Sequence, residues 1–178
     1  FTGVPDTLYR NNGNRTFTDV TREAGLYNPI GRGMSPIWSD YDNDEDLDLF
    51  VANDATENFL YQNNNDGTFS NVAWIAGVAT DMNGDLQGSM GLDLADYDND
   101  GDFDLIMTNF QRQVNTLYRN EGNGFFNDIS FSIGLGYTLP YVGWGTGLVD
   151  LNNDGFRDLF VANGHIQDII AQYDTGSS

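Results

Sequence analysis

The sequence contains no cysteine and no lysine, and it has a single histidine. Without cysteine the chain can form neither a disulfide nor a thiolate metal site, and without lysine it cannot use Schiff-base chemistry. Glutamate is also scarce, so two of the strongest helix-forming residue types are nearly missing and long helices are not expected. No apolar stretch approaches the roughly 18 residues of a membrane-spanning helix, so no membrane span is expected.

Basic residues are few: the chain has 7 of them against 27 acidic residues, which gives a formal net charge of −20. This excess of negative charge repels phosphates, so nucleic acid is not expected as a partner. A hydrophobic share of 39% over 178 residues still allows a folded core. Aspartate, asparagine and glycine are abundant, and they favour tight turns between short strands.

The chain is an internal repeat. Three segments align without gaps, namely DYDNDEDLDLFVAN at residues 40–53, DYDNDGDFDLIMTN at 96–109 and DLNNDGFRDLFVAN at 150–163. A second set of similar segments alternates with the first: TLYRNNGNRTFTDV at 7–20, FLYQNNNDGTFSNV at 59–72 and TLYRNEGNGFFNDI at 116–129. A unit of roughly 55 residues therefore recurs about three times.

The middle unit predicts four short strands, at residues 90–95, 103–109, 115–119 and 125–130, each ended by Asp, Asn or Gly. Four strands in 40 to 55 residues are typical of a β-propeller blade, whereas most solenoid repeats contribute one or two strands. We therefore expect an all-β fold of about three four-stranded antiparallel propeller-type blades. Three blades are too few to close a ring, so they form part of a larger propeller or are completed by other chains.

The repeat pattern also predicts how the chain is divided. Both terminal units are half-blades. Either a longer chain completes them, or other copies of the chain do so and form a homo-oligomer or a fibre. The predicted units are the outer hairpin of an incomplete blade at 1–32, blades at 33–87 and 88–142, the inner hairpin of a further blade at 143–164, and a tail or docking segment at 165–178.

The candidate metal ligands lie in three acidic segments. We call these segments the first, second and third aspartate loops (residues 40–48, 96–104 and 150–158). Oxygen-bearing side chains recur at alternate positions, and a curled loop can direct them to one Ca²⁺, which takes 6 to 8 oxygens. The candidate ligands are Asp40, Asp96 and Asp150 at the first position, Asp42, Asp98 and Asn152 at the third, Asp44, Asp100 and Asp154 at the fifth, Asp46, Asp102 and Phe156 at the seventh, and Asp48, Asp104 and Asp158 at the ninth.

Other details of the aspartate loops refine this prediction. Phe156 has no side-chain ligand, so the seventh position is expected to contribute a backbone carbonyl. An EF-hand is excluded because the twelfth position is apolar, and Mg²⁺ is less suited than Ca²⁺ to a loop that supplies most of the ligands. The sixth position is Gly101 or Gly155 but Glu45 in the first loop, which predicts a weaker site or an altered backbone there. The asparagine at each fourth position is expected to serve turn geometry.

The aspartate loops, the LYRN-type hairpins and TFTDVTREAGL at residues 16–26 together resemble the FG-GAP/VCBS repeat family, most of all its secreted calcium-binding propeller proteins of the cartilage acidic protein and ASPIC/UnbV type. The resemblance covers nearly the whole chain. It implies propeller blades with a Ca²⁺ loop between the first two strands of each, about three ions in all, in extracellular proteins of adhesion and recognition. Glu45 and Asn152 depart from the family pattern.

The function expected from these observations is a calcium-stabilised extracellular module for adhesion, recognition or assembly, secreted or at the cell surface and without catalysis. Its partner would be an extracellular protein or a glycan. Self-assembly through the terminal half-blades is one alternative. A lectin-like propeller is another, because Trp38, Trp74, Trp144 and Tyr141 could stack on sugars, although packing between blades is the simpler explanation. An enzyme is disfavoured because His165 stands alone and the paired acids are assigned to metal.

Overall fold

The computed structural model describes residues 2–165, so the predicted tail beyond His165 lies outside the described residues. Within them, the strands form two four-stranded and two two-stranded antiparallel sheets, each connected in sequence order. The expectation of an all-β fold with propeller-like blades is confirmed. In the described part of the chain, the four sheets do not join into a closed barrel.

We call the two complete sheets blade A and blade B. Blade A contains β3 (Gly33–Ser39), β4 (Asp48–Asn53), β5 (Phe59–Asn63) and β6 (Phe69–Asn71). Blade B contains β7 (Ser89–Ala95), β8 (Asp104–Asn109), β9 (Thr116–Asn120) and β10 (Phe126–Asp128). The four strands predicted in the middle unit are therefore present, with ends shifted by one or two residues.

The two-stranded sheets are half-blades. The first is an outer hairpin of β1 (Tyr9–Asn11) and β2 (Phe17–Asp19). The last is an inner hairpin of β11 (Gly143–Val149) and β12 (Asp158–Asn163). They belong to separate sheets in the described structure. The boundaries between the repeat units stay predictions.

Asparagine and glycine close the outer hairpins, as their sequence predicts. Asn65 and Gly67 have φ angles of 60° and 86° between β5 and β6, and Gly122 and Gly124 have 73° and 79° between β9 and β10. These residues adopt the left-handed backbone with little steric penalty, so the turns are tight and the strand register is fixed.

The main core lies between blades A and B. Tyr41 stacks on Phe126 with ring centroids 5.9 Å apart, and buried side chains of both blades surround them, including Phe50, Leu105 and Tyr118. Burial of this apolar surface is the main force that holds neighbouring blades together.

The first strands of successive blades also lie side by side. The Leu148 N–H donates to Asp93 Oδ2 at 2.7 Å, and Thr108 Oγ1 donates to the Trp144 carbonyl at 2.6 Å. At Gly91 the backbone of β11 approaches so closely that a Cβ atom would lie 1.9 Å from the Trp144 oxygen. Glycine is therefore required at this contact.

Between residues 2 and 165 the helices are single turns, α1 (Ala73–Ala76) and a 3₁₀ turn at Leu135–Thr138. Over the described residues, no helix has the length and apolar character needed to cross a bilayer.

Candidate metal centre

Each aspartate loop joins the first two strands of a blade or of the inner half-blade, as the family resemblance implied. The first-position carboxylate closes each loop by accepting two backbone N–H bonds from the fifth and sixth positions. These bonds measure 3.0 and 3.0 Å at Asp40, 3.1 and 3.0 Å at Asp96, and 3.1 and 2.9 Å at Asp150. The same closure in three loops shows that the repeat preserves a local fold and not merely an acidic composition.

The fourth residue of each loop has a left-handed backbone, with φ angles of 61° at Asn43, 62° at Asn99 and 61° at Asn153. The sixth residue is also left-handed in every loop, including Glu45 at 72°. The altered backbone considered for the first loop is therefore absent, and Glu45 adopts a conformation that favours glycine.

The loops bring the first, third and ninth carboxylates together. In the first loop, oxygens of Asp40, Asp42 and Asp48 lie within 4.8 Å of one another, and Asp96, Asp98 and Asp104 form the same group in the second loop. Ca²⁺ binds oxygens at about 2.3 to 2.6 Å, so atoms separated by up to twice that distance can share one ion. Each of these groups therefore has the spacing of a hard-cation site.

The ninth-position carboxylates are buried at the base of these groups. Asp48 Oδ1 accepts the Asn63 N–H at 2.8 Å, and Asp104 Oδ1 accepts the Asn120 N–H at 2.9 Å, so both carboxylates are tied to the third strand of their blade. Burial nevertheless raises the pKa of Asp48 and of Asp104 to about 6, because the backbone bonds only partly replace water.

The third-position carboxylates are less buried than those at the ninth position, since Asp42 is half-buried and Asp98 is exposed. Desolvation, followed by the charge of the fifth-position aspartate, raises the pKa of Asp42 and of Asp98. In the first loop, four buried carboxylate oxygens have no hydrogen-bond partner in the structure, namely Asp42 Oδ1, Asp48 Oδ2 and both oxygens of Asp46. Buried ionised groups without partners are costly, and a bound divalent cation would remove this cost. The donor set thus fits Ca²⁺, which would supply positive charge and hold the two strands of the hairpin together.

The fifth- and seventh-position aspartates lie outside these carboxylate groups. Asp44 Oδ1 and Asp100 Oδ1 accept the N–H groups of Asp46 and Asp102, at 3.2 and 3.0 Å. Asp102 Oδ1 also accepts Asn43 Nδ2 from the first loop, at 2.6 Å. Its side chain therefore links two neighbouring blades.

The third loop differs at its third position. Asn152 there bonds to Asp154 twice, through both its amide nitrogen and its amide oxygen at 2.9 Å. The rest of the loop follows the second: the Asp158 carboxylate accepts the Leu151 N–H at 3.0 Å as Asp104 accepts the Tyr97 N–H at 2.8 Å, and the Gly155 N–H lowers the pKa of Asp150. Phe156 at the seventh position is 63% exposed. No carboxylate group like those of the first two loops forms here.

Several supporting residues were missed from sequence. Gln62 donates to Asp42 Oδ2 at 2.7 Å, and Asn99 Nδ2 donates to the Gly155 carbonyl of the third loop at 3.2 Å. The backbone donors Asn63 and Asn120 share a recoverable signal, since each ends the recurring Tyr-x-Asn segment of the outer hairpin. Asn11 ends the same segment in the first half-blade.

The tryptophans are more exposed than packing between blades would require. Trp74 is 61% exposed, Trp38 is 42% and Trp144 is 37%, and Tyr141 is 51% exposed. Trp74 Nε1 donates to Glu57 Oε2 at 3.0 Å, which orients the indole ring on the surface.

The sequence matches the model of the FG-GAP-like repeat three times, over residues 3–51, 40–107 and 96–161. The chain belongs to the FG-GAP-like repeat family. It is 31% identical to cartilage acidic protein 1 of Homo sapiens over 150 residues, and 34% identical to the protein of the same name from Mus musculus over 165 residues.

These alignments cover 82% and 90% of the chain but only 21% and 25% of the two relatives, so the chain spans about a quarter of their length or less. The family resemblance expected from the sequence is confirmed. The match over residues 3–51 ends just after the first aspartate loop, and the other two matches each run from one aspartate loop through the next.

Proposed function

We propose that this chain is a calcium-stabilised, non-catalytic propeller module that acts outside the cell in adhesion, recognition or assembly. The observation that carries the proposal is the pair of equivalent carboxylate groups, one in each complete blade, with buried and unpartnered oxygens in the first. In this role Asp40, Asp42 and Asp48 hold one ion and the equivalent residues of blade B hold another, with the third loop as a further site.

An extracellular location is supported by the relatives, whose name refers to cartilage and describes them as acidic. This chain is acidic as well, with a net charge of −20. Extracellular calcium-binding modules work with dissociation constants of roughly 10⁻⁴ to 10⁻³ M, which suits sites that retain calcium only outside the cell.

Calcium removal tests the proposal. Saturation to tenfold above Kd stabilises a fold by about 1.4 kcal/mol per site, so two occupied sites would add about 3 kcal/mol. For a chain of this size, that gain corresponds to a rise in Tm of roughly 6 to 12 °C. We expect calorimetry to find this difference between calcium and excess chelator, with a smaller response to Mg²⁺. An unchanged Tm would refute the proposal.

The variant Asp42→Asn tests whether Asp42 acts as a calcium ligand or only adds to the overall negative charge. It removes one ligand charge, so calcium affinity should fall at least about tenfold. The calcium-free protein should instead become more stable, because burial and neighbouring charges disfavour the Asp42 carboxylate. Asp85→Asn, an exposed aspartate outside the loops, is the matched control and should change neither quantity.

A glycan is a second candidate for the partner, because Trp74 borders a polar groove of about 470 Å³. Asp81, Asn127 and Asp128 also line the groove, so the indole face could stack on a sugar while carboxylates and the amide bind its hydroxyls. Trp74→Ala should weaken glycan-array binding at least about tenfold, whereas Ile75→Ala on the same exposed turn should not. An array without any signal would eliminate this candidate.

A further inference from the structure

A buried residue, Asn120, connects the first and second aspartate loops. It ends β9 of blade B and is 1% exposed. Its amide Nδ2 donates to the Tyr41 carbonyl of the first loop at 2.7 Å and to the Phe103 carbonyl of the second loop at 3.3 Å. Its backbone N–H donates to Asp104 Oδ1 at 2.9 Å. One buried residue is therefore bonded to both candidate calcium loops.

The atoms that Asn120 contacts lie beside the candidate ligands of each loop. Tyr41 is buried and stands between Asp40 and Asp42, the first- and third-position carboxylates of the first loop. Asp104 is itself a member of the carboxylate group of the second loop. A movement of either loop would strain a hydrogen bond to the same buried residue, and a buried polar group is costly to leave unpaired. The positions of the two ligand groups are therefore linked.

The equivalent residue of blade A, Asn63, makes the same bonds only within its own blade. Its N–H donates to Asp48 Oδ1 at 2.8 Å, and its Nδ2 donates to the Leu47 carbonyl at 3.3 Å. Within residues 2–165, Asn63 makes no hydrogen bond to the loop of another blade. The bond to the Tyr41 carbonyl is therefore the contact that distinguishes Asn120 from its equivalent.

A second contact, on the surface, joins the same two loops. Asn43 Nδ2 of the first loop donates to Asp102 Oδ1 at 2.6 Å, and the Asp102 N–H donates to Asp100 Oδ1 at 3.0 Å. The next pair of loops repeats the direction of this contact, since Asn99 Nδ2 donates to the Gly155 carbonyl at 3.2 Å. In both pairs the fourth-position asparagine reaches the following loop, so its role extends beyond the turn geometry expected from the sequence.

We propose that the calcium sites of the first and second aspartate loops bind cooperatively and that Asn120 is the positioning residue that couples them. This inference rests on the proposed function, because it concerns the ions that the two carboxylate groups would hold. Calcium binding at the first loop fixes the backbone at Tyr41, whose carbonyl holds Asn120 in position to bind Asp104. The second loop then requires less ordering when it binds its own ion. Asn43 acts in the same direction from the surface.

The sign of the effect distinguishes this route from simple electrostatics. Two bound cations repel each other, so charge alone would make binding at one loop weaken binding at the other. Coupling through the shared hydrogen bonds instead makes each site strengthen the other. By thermodynamic linkage, the factor must be the same in both directions.

Calorimetric titration with Ca²⁺ measures this factor. All proteins carry Asp150→Asn, which weakens the third loop so that the first two dominate the titration. Asp42→Asn, at calcium concentrations that leave the weakened first loop empty, should lower the affinity of the second loop at least about fivefold. Asp98→Asn should lower the affinity of the first loop by the same factor.

The outcomes of this titration separate the inference from the proposed function. Calcium binding with affinities that are independent, or that rise when the other loop is disabled, would overturn the coupling and leave the proposed function intact. A chain that binds no calcium would overturn both.

Asn120→Ala tests the route, and Asn63→Ala is its matched control. Both variants keep the backbone N–H that binds the ninth-position carboxylate, and both lose the side-chain bond within their own blade. A merely structural effect lowers Tm in chelator for either variant. Only Asn120→Ala also removes the bond to Tyr41, so it alone should reduce the coupling factor toward one. An undiminished factor, or an equal reduction in Asn63→Ala, would overturn the role of Asn120.

Asn43→Gly provides a test that does not disturb the core. Asn43 is exposed with φ at 61°, a backbone that glycine adopts readily, so the variant loses the bond to Asp102 without added strain. The coupling factor should fall about twofold. Asn153→Gly, at the same φ of 61° in the third loop, is the matched control and should leave the factor unchanged. If neither Asn120→Ala nor Asn43→Gly reduced the factor, the inference would be overturned.

Discussion

Glu45 is held in a left-handed backbone, with φ at 72°, at the position that glycine occupies in the other two loops. A side chain in this conformation costs roughly 1 kcal/mol, because its Cβ crowds the following carbonyl. Glu45→Gly should therefore raise the free energy of unfolding by about 1 kcal/mol, measured by urea denaturation in chelator and in calcium.

Two controls separate backbone strain from charge in this experiment. Gly101→Ala is the reverse change, at φ 102° and with no atom near the added Cβ, so it should destabilise by a similar amount through strain alone. Glu45→Gln removes the charge and keeps the backbone. If this variant gained as much stability as Glu45→Gly, electrostatic repulsion and not conformation would be the cause.

At single positions, sequence patterns predicted some contacts and not others. Asp40, Asp42 and Asp48 come together because the recurring spacing encodes one local loop conformation. Asp102 has the same spacing, yet its carboxylate binds Asn43, a residue 59 positions earlier in the chain. Spacing within a loop does not reveal such a competitor, because the contact depends on how two blades pack.

At the level of elements, the packing of first strands depends on Gly91. Alanine there would place Cβ 1.9 Å from the Trp144 carbonyl oxygen, which is a backbone atom and cannot rotate away. Gly91→Ala should lower the free energy of unfolding by about 2 kcal/mol or more, as overpacking does in other cores. Thermal and urea denaturation would measure the loss.

Gly145 provides a matched control because it occupies the equivalent position in β11. An added Cβ there meets no atom within 4 Å, so Gly145→Ala should change the stability of the monomer by less than about 0.5 kcal/mol. A large loss from this variant, or none from Gly91→Ala, would contradict the assignment of Gly91 to a close contact between blades.

The strands were predictable because Asp, Asn and Gly mark their ends, and because the repeat shows each type of strand three times in the sequence. The one-turn helix α1 was not. Its Ala73 and Ala76 are buried, so Trp74 and Ile75 necessarily point outward. A single turn is too short for hydrophobic periodicity to indicate which residues face the core, so the sequence does not reveal that Trp74 lies on the surface.

At the scale of the molecule, folding of the calcium-free chain buries carboxyl groups and so disfavours their ionised form. Burial raises the pKa of Asp48 and Asp104 to about 6, so the folded state binds more protons than the unfolded state between roughly pH 4 and 6. The free energy of unfolding in chelator should therefore fall as pH rises through this window. The carboxyls whose pKa is lowered, Asp19, Asp66 and Asp150, act in the opposite sense only below about pH 4.

Calcium should reverse this pH dependence, because the ion requires the same carboxylates to be deprotonated. Its affinity should increase by up to about tenfold per pH unit for each titrating group below pH 6, and the calcium-loaded protein should become more stable as pH rises. Urea denaturation from pH 4.5 to 7.5, in calcium and in chelator, would measure both slopes. High salt should weaken the effect of the net charge of −20 on stability. It should largely preserve the effect of the buried Asp48 and Asp104 on the pH dependence of stability. Slopes of the same sign in both conditions would show that Asp48 and Asp104 do not link protons to calcium.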